Sequence, residues 1–337
     1  MTDRNLAIAL TASLVLAACA PETEPPAPTA APEAPAAPAP AASAPAATAP
    51  AADGGIPDRI VAERGGFIPE GIEYDQANGR ILTGSLSEGS IYEIGTDGSV
   101  TAIVRDPELV SSVGIEVDEP RDRLIVANSD SRVFQGQSNG HAKIGVFNLT
   151  TGERIAMVDV GATLGAGPDA AFFLNDVTVA DDGTIYGTDT RQNVVYRVDT
   201  QYQGSVLHRF APAEGLALNG IVHHPDGYLL VVDLGSGNLF KVPEEDPAAT
   251  AQVALAAPVP GADGLVWMAD GRLAAVSNST SSVIALTSSD GWASAQAAGV
   301  ARFEGQATTG AAVGDDVYVV QPHFADQDPP VILRAVF

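Results

Sequence analysis

The sequence predicts an all-β fold, a six-bladed β-propeller, and three observations support this prediction. A unit of short strands and tight turns recurs along the chain, with starts spaced by 43, 62, 44, 44 and 46 residues. A period near 44 residues with several strands per repeat is typical of a propeller blade. The turns contain Asn-Gly or Asp-Gly, which supply the positive φ that tight hairpins need. Val, Ile, Leu and Tyr dominate the strands, as half-buried pleated surfaces favour.

Within each repeat, the strands follow one another through short turns. The repeat that begins at Leu218 reads LNGIVHHPDGYLLVVDLGSGNLFKV, in which Pro-Asp-Gly and a Gly-rich turn separate three apolar strands. We expect Arg59-Ile60-Val61, which precedes the first inner strand, to form the outer strand of the last blade beside the C-terminal strands. This pairing would close the ring without exposed strand edges. An all-β sandwich is the alternative, although a sandwich would not repeat at 44 residues.

The long second interval contains two insertions. The segment from Ser131 to His141 is a polar loop between the second and third strands of the second blade, and the segment from Gly161 to Phe173 precedes the third repeat. Long propeller loops lie at a face of the ring and often shape a pocket. A plain solvent loop is an equally open interpretation.

Composition restricts the partners of the chain. Its 337 residues include 42 acidic and 17 basic side chains, which give a formal net charge of −25. Such a chain should avoid nucleic-acid phosphates and anionic lipid surfaces, and it could concentrate cations. We therefore expect no nucleic-acid partner, and we expect a monomeric propeller. Cys19 is the single cysteine, so no intrachain disulfide can form.

The N-terminus is predicted to be a targeting segment. The apolar run from Leu6 to Ala18 has the length of a signal peptide and ends in Leu-Ala-Ala-Cys, which resembles a bacterial lipoprotein signal with Cys19 as the lipidated residue. Ala20, not Asp, follows the cysteine, which implies an outer-membrane anchor facing the periplasm or the cell surface. The lipid would be the only membrane contact. The alternative is an ordinary secretory signal with an incidental cysteine.

The chain therefore divides into three parts. Residues 1–18 are predicted to be the signal peptide, residues 19–55 the lipidated cysteine with a disordered linker, and residues 56–337 the propeller. The linker is nearly all Ala and Pro, and it has too few large apolar residues to offset the entropy of ordering.

The first residues of the repeats form the candidate site. In a propeller, the inner strands start at one height around the central channel, so these residues make a ring: Glu70, Val113, Asn175, Asn219, Asp263 and Thr309. Two carboxylates and two carboxamides are a hard oxygen set that suits Ca²⁺ better than Mg²⁺, Mn²⁺ or Zn²⁺. The two acids would repel each other in a dry channel, and a divalent cation removes that conflict. The alternative is that each residue only caps its own turn.

Four of the repeat starts resemble a known family. The motifs are PEGIEYD from Pro69, LNDVTVADDG from Leu174, LNGIVHHPDG from Leu218 and ADGLVWMADG from Ala262. They resemble the senescence marker protein (regucalcin)/gluconolactonase family of six-bladed propellers, which has diisopropyl fluorophosphatases and paraoxonases as structural relatives. The resemblance covers the chain from about Ile56 to Phe337.

The resemblance implies roles for individual residues. Glu70, Asn219 and Asp263 would ligate a divalent metal, Asn175 would be a further ligand or a substrate contact, and Asp263 would be the catalytic base or nucleophile. Two positions depart from the family pattern. Phe173 stands where lactone-binding relatives have Arg, and Glu73 stands where an aromatic residue is usual. A sugar lactone is therefore a less suitable substrate, and a more apolar pocket is expected.

Three interpretations of the function remain open from the sequence. The first is a calcium-dependent hydrolase of small esters or lactones, in which Asp263 assists proton transfer and Asn175, Phe173 and His323 contact the substrate. His323 is included because it follows a strand that runs back toward the ring. The second is a non-catalytic extracytoplasmic propeller whose Ca²⁺ is structural and which binds a ligand or a protein partner. A propeller scaffold without this metal is a third alternative, with no specific motif behind it.

Overall fold

Short Val-, Ile- and Leu-rich segments separated by turns form twenty-five β-strands in the computed structural model of the protein, which describes residues 55–211 and 218–337. The strands make six sheets, so the predicted all-β six-bladed propeller is confirmed. No α-helix occurs among the described residues, and none of their helices is long and apolar enough to cross a membrane. The predicted signal peptide, the lipidated Cys19 and the linker up to residue 54 lie outside the described residues.

Each blade is a sheet of four or five strands, ordered from the channel outward. Blade 1 contains β2 (Ile72–Asp75), β3 (Arg80–Thr83), β4 (Ile91–Ile94) and β5 (Val100–Val104). Blade 2 contains β6 (Ser111–Asp118), β7 (Arg123–Ser129), β8 (Lys143–Asn148) and β9 (Arg154–Asp159). Blade 3 contains β10 (Leu174–Val179), β11 (Ile185–Asp189), β12 (Val194–Val198) and β13 (Gly204–Arg209).

The second half of the ring repeats this plan. Blade 4 contains β14 (Leu218–His224), β15 (Tyr228–Asp233), β16 (Leu239–Pro243) and β17 (Ala251–Gln252). Blade 5 contains β19 (Ala262–Trp267), β20 (Leu273–Ser277), β21 (Ser282–Thr287) and β22 (Ser294–Arg302), with β18 (Ala254–Leu255) parallel to β22 at its outer edge. Blade 6 contains β23 (Gly310–Val313), β24 (Asp316–Gln321), β25 (Val331–Ala335) and β1 (Arg59–Val61). Short 3-10 helices occupy Glu119–Arg121, Ser131–Gln135, Gly161–Leu164 and Pro247–Ala249.

The last blade joins the two ends of the propeller, as the sequence predicts. Strand β1 pairs antiparallel with β25, and Ile60 lies opposite Ile332. Ile60 is buried in a cluster with Phe67 and Tyr318, and the Tyr318 hydroxyl donates a hydrogen bond to the carbonyl of Ile56. Apolar contacts of this kind between neighbouring sheets form the core, so the closing strand is part of the core and does more than cover an edge.

The closing strand should therefore contribute measurably to stability. We expect Ile60→Ala to lower the free energy of unfolding by about 2–5 kcal/mol, because its side chain is only 2% exposed. The neighbouring Val61 is 39% exposed, and Val61→Ala should cost less than about 1 kcal/mol. Urea unfolding of both variants, followed by circular dichroism, measures the difference. Equal losses in the two variants would show that β1 does not pack as described.

Candidate functional site

Four of the six inner strands, those of blades 2 to 5, start with a β-bulge at the ring position. In β10, Leu174 pairs with Asp189 but Val177 pairs with Gly187, so two residues, Asn175 and its successor, face one residue of β11. The same register shift occurs at the start of the inner strands of blades 2, 4 and 5. A bulge leaves one residue outside the ladder and re-aims its side chain. Asn175, Asn219 and Asp263 all occupy such bulges.

Glycines after the ring positions let neighbouring blades approach closely. A Cβ atom added to Gly220 would overlap the carbonyl oxygen of Asp263, and one added to Gly71 would overlap the carbonyl oxygen of Val113. The Gly71 amide donates a hydrogen bond to that same Val113 carbonyl at 3.1 Å. Only glycine permits this separation. Glycine is therefore required at this position by packing, because only then do the first residues of adjacent blades lie close together around the channel.

The structure places the four predicted metal ligands around one cavity. Glu70, Asn175, Asn219 and Asp263 all line a cavity of about 540 Å³, and each of them is between 5% and 8% exposed. Val113 also lines this cavity, which we call the ring cavity. The sixth position differs, because Thr308 lines the ring cavity while Thr309 lines a small space deeper in the channel. The positions are thus as the repeat phase predicts, and the ligand roles remain predictions.

A hydrogen-bond chain orients the Asn175 amide. Its Nδ2 donates to the Thr190 hydroxyl at 3.0 Å, and that hydroxyl donates to the carbonyl of Leu218 at 2.7 Å. The Asn175 Oδ1 atom is buried and has no hydrogen-bond partner among the described residues. A buried carbonyl oxygen without a partner is costly, which indicates that this site is built to present the oxygen to a ligand.

The pKa values of Glu70 and Asp263, the two acids among the ring residues, are both raised. Burial raises the pKa of Asp263 to about 8, with the Asp176 charge adding to the rise and hydrogen bonds from Asn278 and Asn219 opposing it. The Asn278 amide lies 3.2 Å from Asp263 Oδ2. Burial also raises the pKa of Glu70 well above its usual value, and the charges of Asp263 and Asp176 add to it. Without a cation, Asp263 therefore holds a proton near neutral pH, and the protonated form of Glu70 is favoured in the same direction.

The first insertion helps to form the ring cavity. Ser131, Phe134 and Gln135 from the loop between β7 and β8 line it together with Phe173. The Phe134 and Phe173 rings make an edge contact at a centroid distance of 4.6 Å, and the Arg191 guanidinium lies over Phe134. The sequence left two interpretations of this loop open, a part of a pocket wall and a plain solvent loop. The structure shows that the loop forms part of a pocket wall. This pocket has an aromatic side, as the replacement of Arg by Phe173 suggests.

The structure places His323 differently from the sequence expectation. His323 is not among the residues that line the ring cavity, whereas its neighbour Phe324 is. The His323 ring lies 3.2 Å from Asp326 and, with Asp328, forms a partly exposed group whose ligand atoms lie within 4.8 Å of one another. This group could hold a metal ion, and the sequence reasoning did not identify it. The role of His323 as a substrate contact remains a prediction that this placement does not favour.

Sequence reasoning also missed the residues that support the ring. Thr190 follows Asn175 by 15 residues, and Asn278 follows Asp263 by 15 residues. A step of 15 residues also leads from Asn219 to Leu234 and from Thr309 to Phe324. Leu234 and Phe324 both line the ring cavity. This step of 15 residues recurs in blades 3 to 6, whereas Ser85 and Asn128, which stand 15 residues after Glu70 and Val113, do not line the ring cavity. In blade 6 the residue of the first ring that lines the cavity is Thr308, so the spacing does not choose between His323 and Phe324.

Comparisons with known proteins agree with this architecture. No protein-family model and no curated protein sequence matches the chain. The Mala s 1 allergen of Malassezia sympodialis has 16% identity over 84% of this chain and 97% of its own, with a TM-score of 0.69. A gluconolactonase of Xanthomonas campestris has 18% identity over 82% and 89%, with a TM-score of 0.58. Virginiamycin B lyase of Staphylococcus aureus has 11% identity over 83% and 98%, with a TM-score of 0.55. The resemblance to gluconolactonases that the blade motifs carry is thus confirmed at the level of the six-bladed fold.

Proposed function

We propose that the protein is a calcium-dependent hydrolase of small esters or lactones. The observation that carries this proposal is the ring cavity, which joins two buried carboxylates and two carboxamides to an aromatic wall. Phe134 and Phe324 on its lining are 44% and 42% exposed, so solvent reaches it. An accessible pocket over a ring of ligands suits chemistry on a small molecule better than a purely structural ion. The fold is shared by a gluconolactonase and by a lyase, so the proposal rests on the site.

The donor set fits a calcium ion. Glu70, Asn175, Asn219 and Asp263 would hold it, and all four offer the hard oxygen atoms that Ca²⁺ prefers. Asn175 Oδ1, which no described residue contacts by a hydrogen bond, is explained if it faces a cation. Burial, together with neighbouring acidic charges, raises the pKa values of Glu70 and Asp263, and a divalent cation would stabilise both side chains as carboxylates. Mg²⁺, Mn²⁺ and Zn²⁺ suit this set less well.

The bound ion would supply polarisation of the carbonyl oxygen of the substrate. The protein's own residues would do the rest. Asn278 holds Oδ2 of Asp263, and we assign to Asp263 the uptake of the proton from the attacking water. As the water oxygen bonds to the carbonyl carbon, the ester C–O bond breaks, and the proton held by Asp263 passes to the leaving alkoxide. Phe134 and Phe173 bind the apolar part of the substrate.

We further place the enzyme outside the cytoplasm. A lipid on Cys19 would anchor it to the outer membrane, and residues 20–55 would hold the propeller away from the lipid surface. The net charge of −25 supports a protein that meets neither nucleic acid nor anionic lipid headgroups directly.

A hydrolysis panel tests the proposed activity. Phenyl acetate, an alkyl-substituted lactone, gluconolactone and an aryl phosphotriester would be offered to the purified protein with CaCl₂ or with EGTA. We expect calcium-dependent turnover, and we expect apolar esters or lactones to exceed gluconolactone in kcat/KM because Phe173 stands where lactone-binding relatives have Arg. Phe173→Arg should narrow that difference. Tightly held Ca²⁺ with no turnover on any of these substrates would favour a structural ion instead.

The support of Asn175 by Thr190 makes a second test. Thr190→Val keeps the side-chain shape but removes the hydroxyl that accepts the Asn175 hydrogen bond, so Ca²⁺ affinity should fall about 10- to 100-fold. Asp326→Asn, in the exposed group with His323, is the matched control and should leave the affinity unchanged. Isothermal titration calorimetry measures both. A loss of affinity in Asp326→Asn with no change in Thr190→Val would show that the ion binds at the exposed group with His323 instead.

Calcium binding should depend on pH with a definite sign. Because the pKa of Asp263 is raised to about 8, Ca²⁺ must displace a proton below that pH. The dissociation constant should fall as pH rises from 6 to 8, by up to about tenfold per unit for each proton released. Calorimetry in buffers of different ionisation enthalpy counts the protons released when Ca²⁺ binds. The Asp263→Asn variant should release fewer protons than the unaltered protein. Equal affinity at pH 6 and pH 8 would contradict the assignment of the buried acids as ligands.

A further inference from the structure

A second and larger cavity lies at the opposite ends of the inner strands. The ring cavity is lined by residues at the starts of β6, β10, β14 and β19, whereas the second cavity is lined by residues near their ends, such as Val117, Val179, His224 and Trp267. Its volume is about 650 Å³. We call it the far cavity. The proposed hydrolase chemistry makes no use of it, so it needs its own explanation.

One wall of the far cavity is aromatic and fixed in place. Trp267 makes edge contacts with His224 and with Trp292, each at a centroid distance of 5.4 Å. Its indole nitrogen donates a hydrogen bond to the carbonyl of His223 at 2.7 Å, and His224 stacks on Tyr228. These contacts hold the Trp267 ring at the lining of the cavity. An immobilised aromatic wall binds apolar groups and cations at a low cost in conformational entropy.

The other side of the far cavity is acidic. Glu73, Glu116 and Glu119 come from blades 1 and 2, Asp181 comes from blade 3, and no Lys or Arg is among the described residues that line the cavity. Glu119 accepts a hydrogen bond from the Ala77 amide, whereas no described residue donates one to the Glu116 side chain. Glu73 and Glu116 also reach a small space of about 20 Å³ toward the centre of the channel, where Asp176 joins them.

This combination selects for one kind of ligand. A metal ion would gain nothing from the aromatic wall, and an anion would meet four acidic side chains and no Lys or Arg among the described lining residues. A neutral apolar molecule would leave the acids desolvated without a partner. A positively charged nitrogen on an apolar body satisfies both sides, since its charge can pair with Glu116 while its body packs on Trp267. The volume of about 650 Å³ lies within the range of small-molecule sites.

We propose that the far cavity is a binding site for an organic ammonium ion that carries an aromatic or aliphatic body. This inference does not rest on the hydrolase proposal, because it is argued from other residues at the other mouth of the channel. Glu116 would hold the charged nitrogen, with Glu73 and Glu119 nearby, and Trp267 with His224 would cover the apolar body.

The two tryptophans of the chain provide a direct readout. Trp267 lines the far cavity and Trp292 contacts it, so ligand binding there should change tryptophan emission. Phenethylammonium would be titrated at pH 8 in the presence of EGTA, with emission excited at 295 nm, and phenethyl alcohol would serve as the neutral isostere. We expect saturable binding of the amine at submillimolar concentration and binding of the alcohol that is at least tenfold weaker.

Variants locate the site within the cavity. Glu116→Gln keeps the side-chain size and should weaken amine binding at least tenfold, whereas Glu245→Gln, an exposed acid that does not line the cavity, should not change it. Trp267→Leu, followed by calorimetry, should also weaken amine binding. Circular dichroism and thermal unfolding would confirm that each variant is folded.

Other results would overturn the proposal. Equal affinity for the amine and the alcohol, or an unchanged affinity in Glu116→Gln, would show that pairing of the ligand's charge with Glu116 does not contribute to binding. Displacement of the amine by 5 mM Mg²⁺ would assign the cavity to a metal ion instead. Hydrolase activity without amine binding would refute this inference alone, and amine binding without hydrolase activity would refute only the proposed function.

Discussion

The close approach of neighbouring backbones around the channel is the constraint on which the rest of the site depends. Bulges at the starts of the inner strands and glycines such as Gly71 and Gly220 bring the first residues of adjacent blades together. A side chain in place of Gly220 would separate blade 4 from Asp263. The ring of polar residues is therefore a consequence of backbone packing, and its diameter is set before any ligand is considered.

That packing has an electrostatic cost. The channel gathers Glu70, Asp263, Asp176, Glu73 and Glu116, and burial raises the pKa of each of them. Grouped acids of this kind do not stabilise a fold, because the folded state must hold protons that the unfolded chain would release near neutral pH. The apolar contacts between blades and the pairing of β1 with β25 must offset this cost. Local destabilisation at one place of an otherwise consistent fold is the usual mark of a functional site.

Much of this could be predicted from the sequence, because the repeat has a constant phase. The period placed Glu70, Asn175, Asn219 and Asp263 at equivalent positions, and a propeller converts equivalent positions into neighbours. The closing role of β1 followed from the same logic. The predictions for the signal peptide and linker concern residues outside the described part of the chain, so they remain predictions.

The remaining features depend on distances that periodicity alone does not contain. The Asn175 amide is oriented by Thr190, whose hydroxyl also donates a hydrogen bond to the Leu218 carbonyl in the next blade. No local sequence motif predicts this contact between blades. Phe134 reaches the ring cavity from an insertion that interrupts the period. His323 was chosen for its chemistry, whereas its neighbour Phe324 lines the ring cavity. Residue type alone was therefore a poor guide at this position.

The two mouths of the channel are not electrically independent, and Asp176 is the reason. It lies between them, its own pKa is raised to about 7 by burial, and backbone amides of Val177 and Ile221 hydrogen-bond to it. Its charge raises the pKa of Glu70 and Asp263 at the ring cavity and that of Glu73 and Glu116 at the far cavity. Burial and the neighbouring charges oppose the ionisation of all five carboxyls together, so the number of protons held in the channel depends on which cations occupy each end. Because linkage is reciprocal, a cation bound at either mouth must change the protonation, and hence the affinity, at the other.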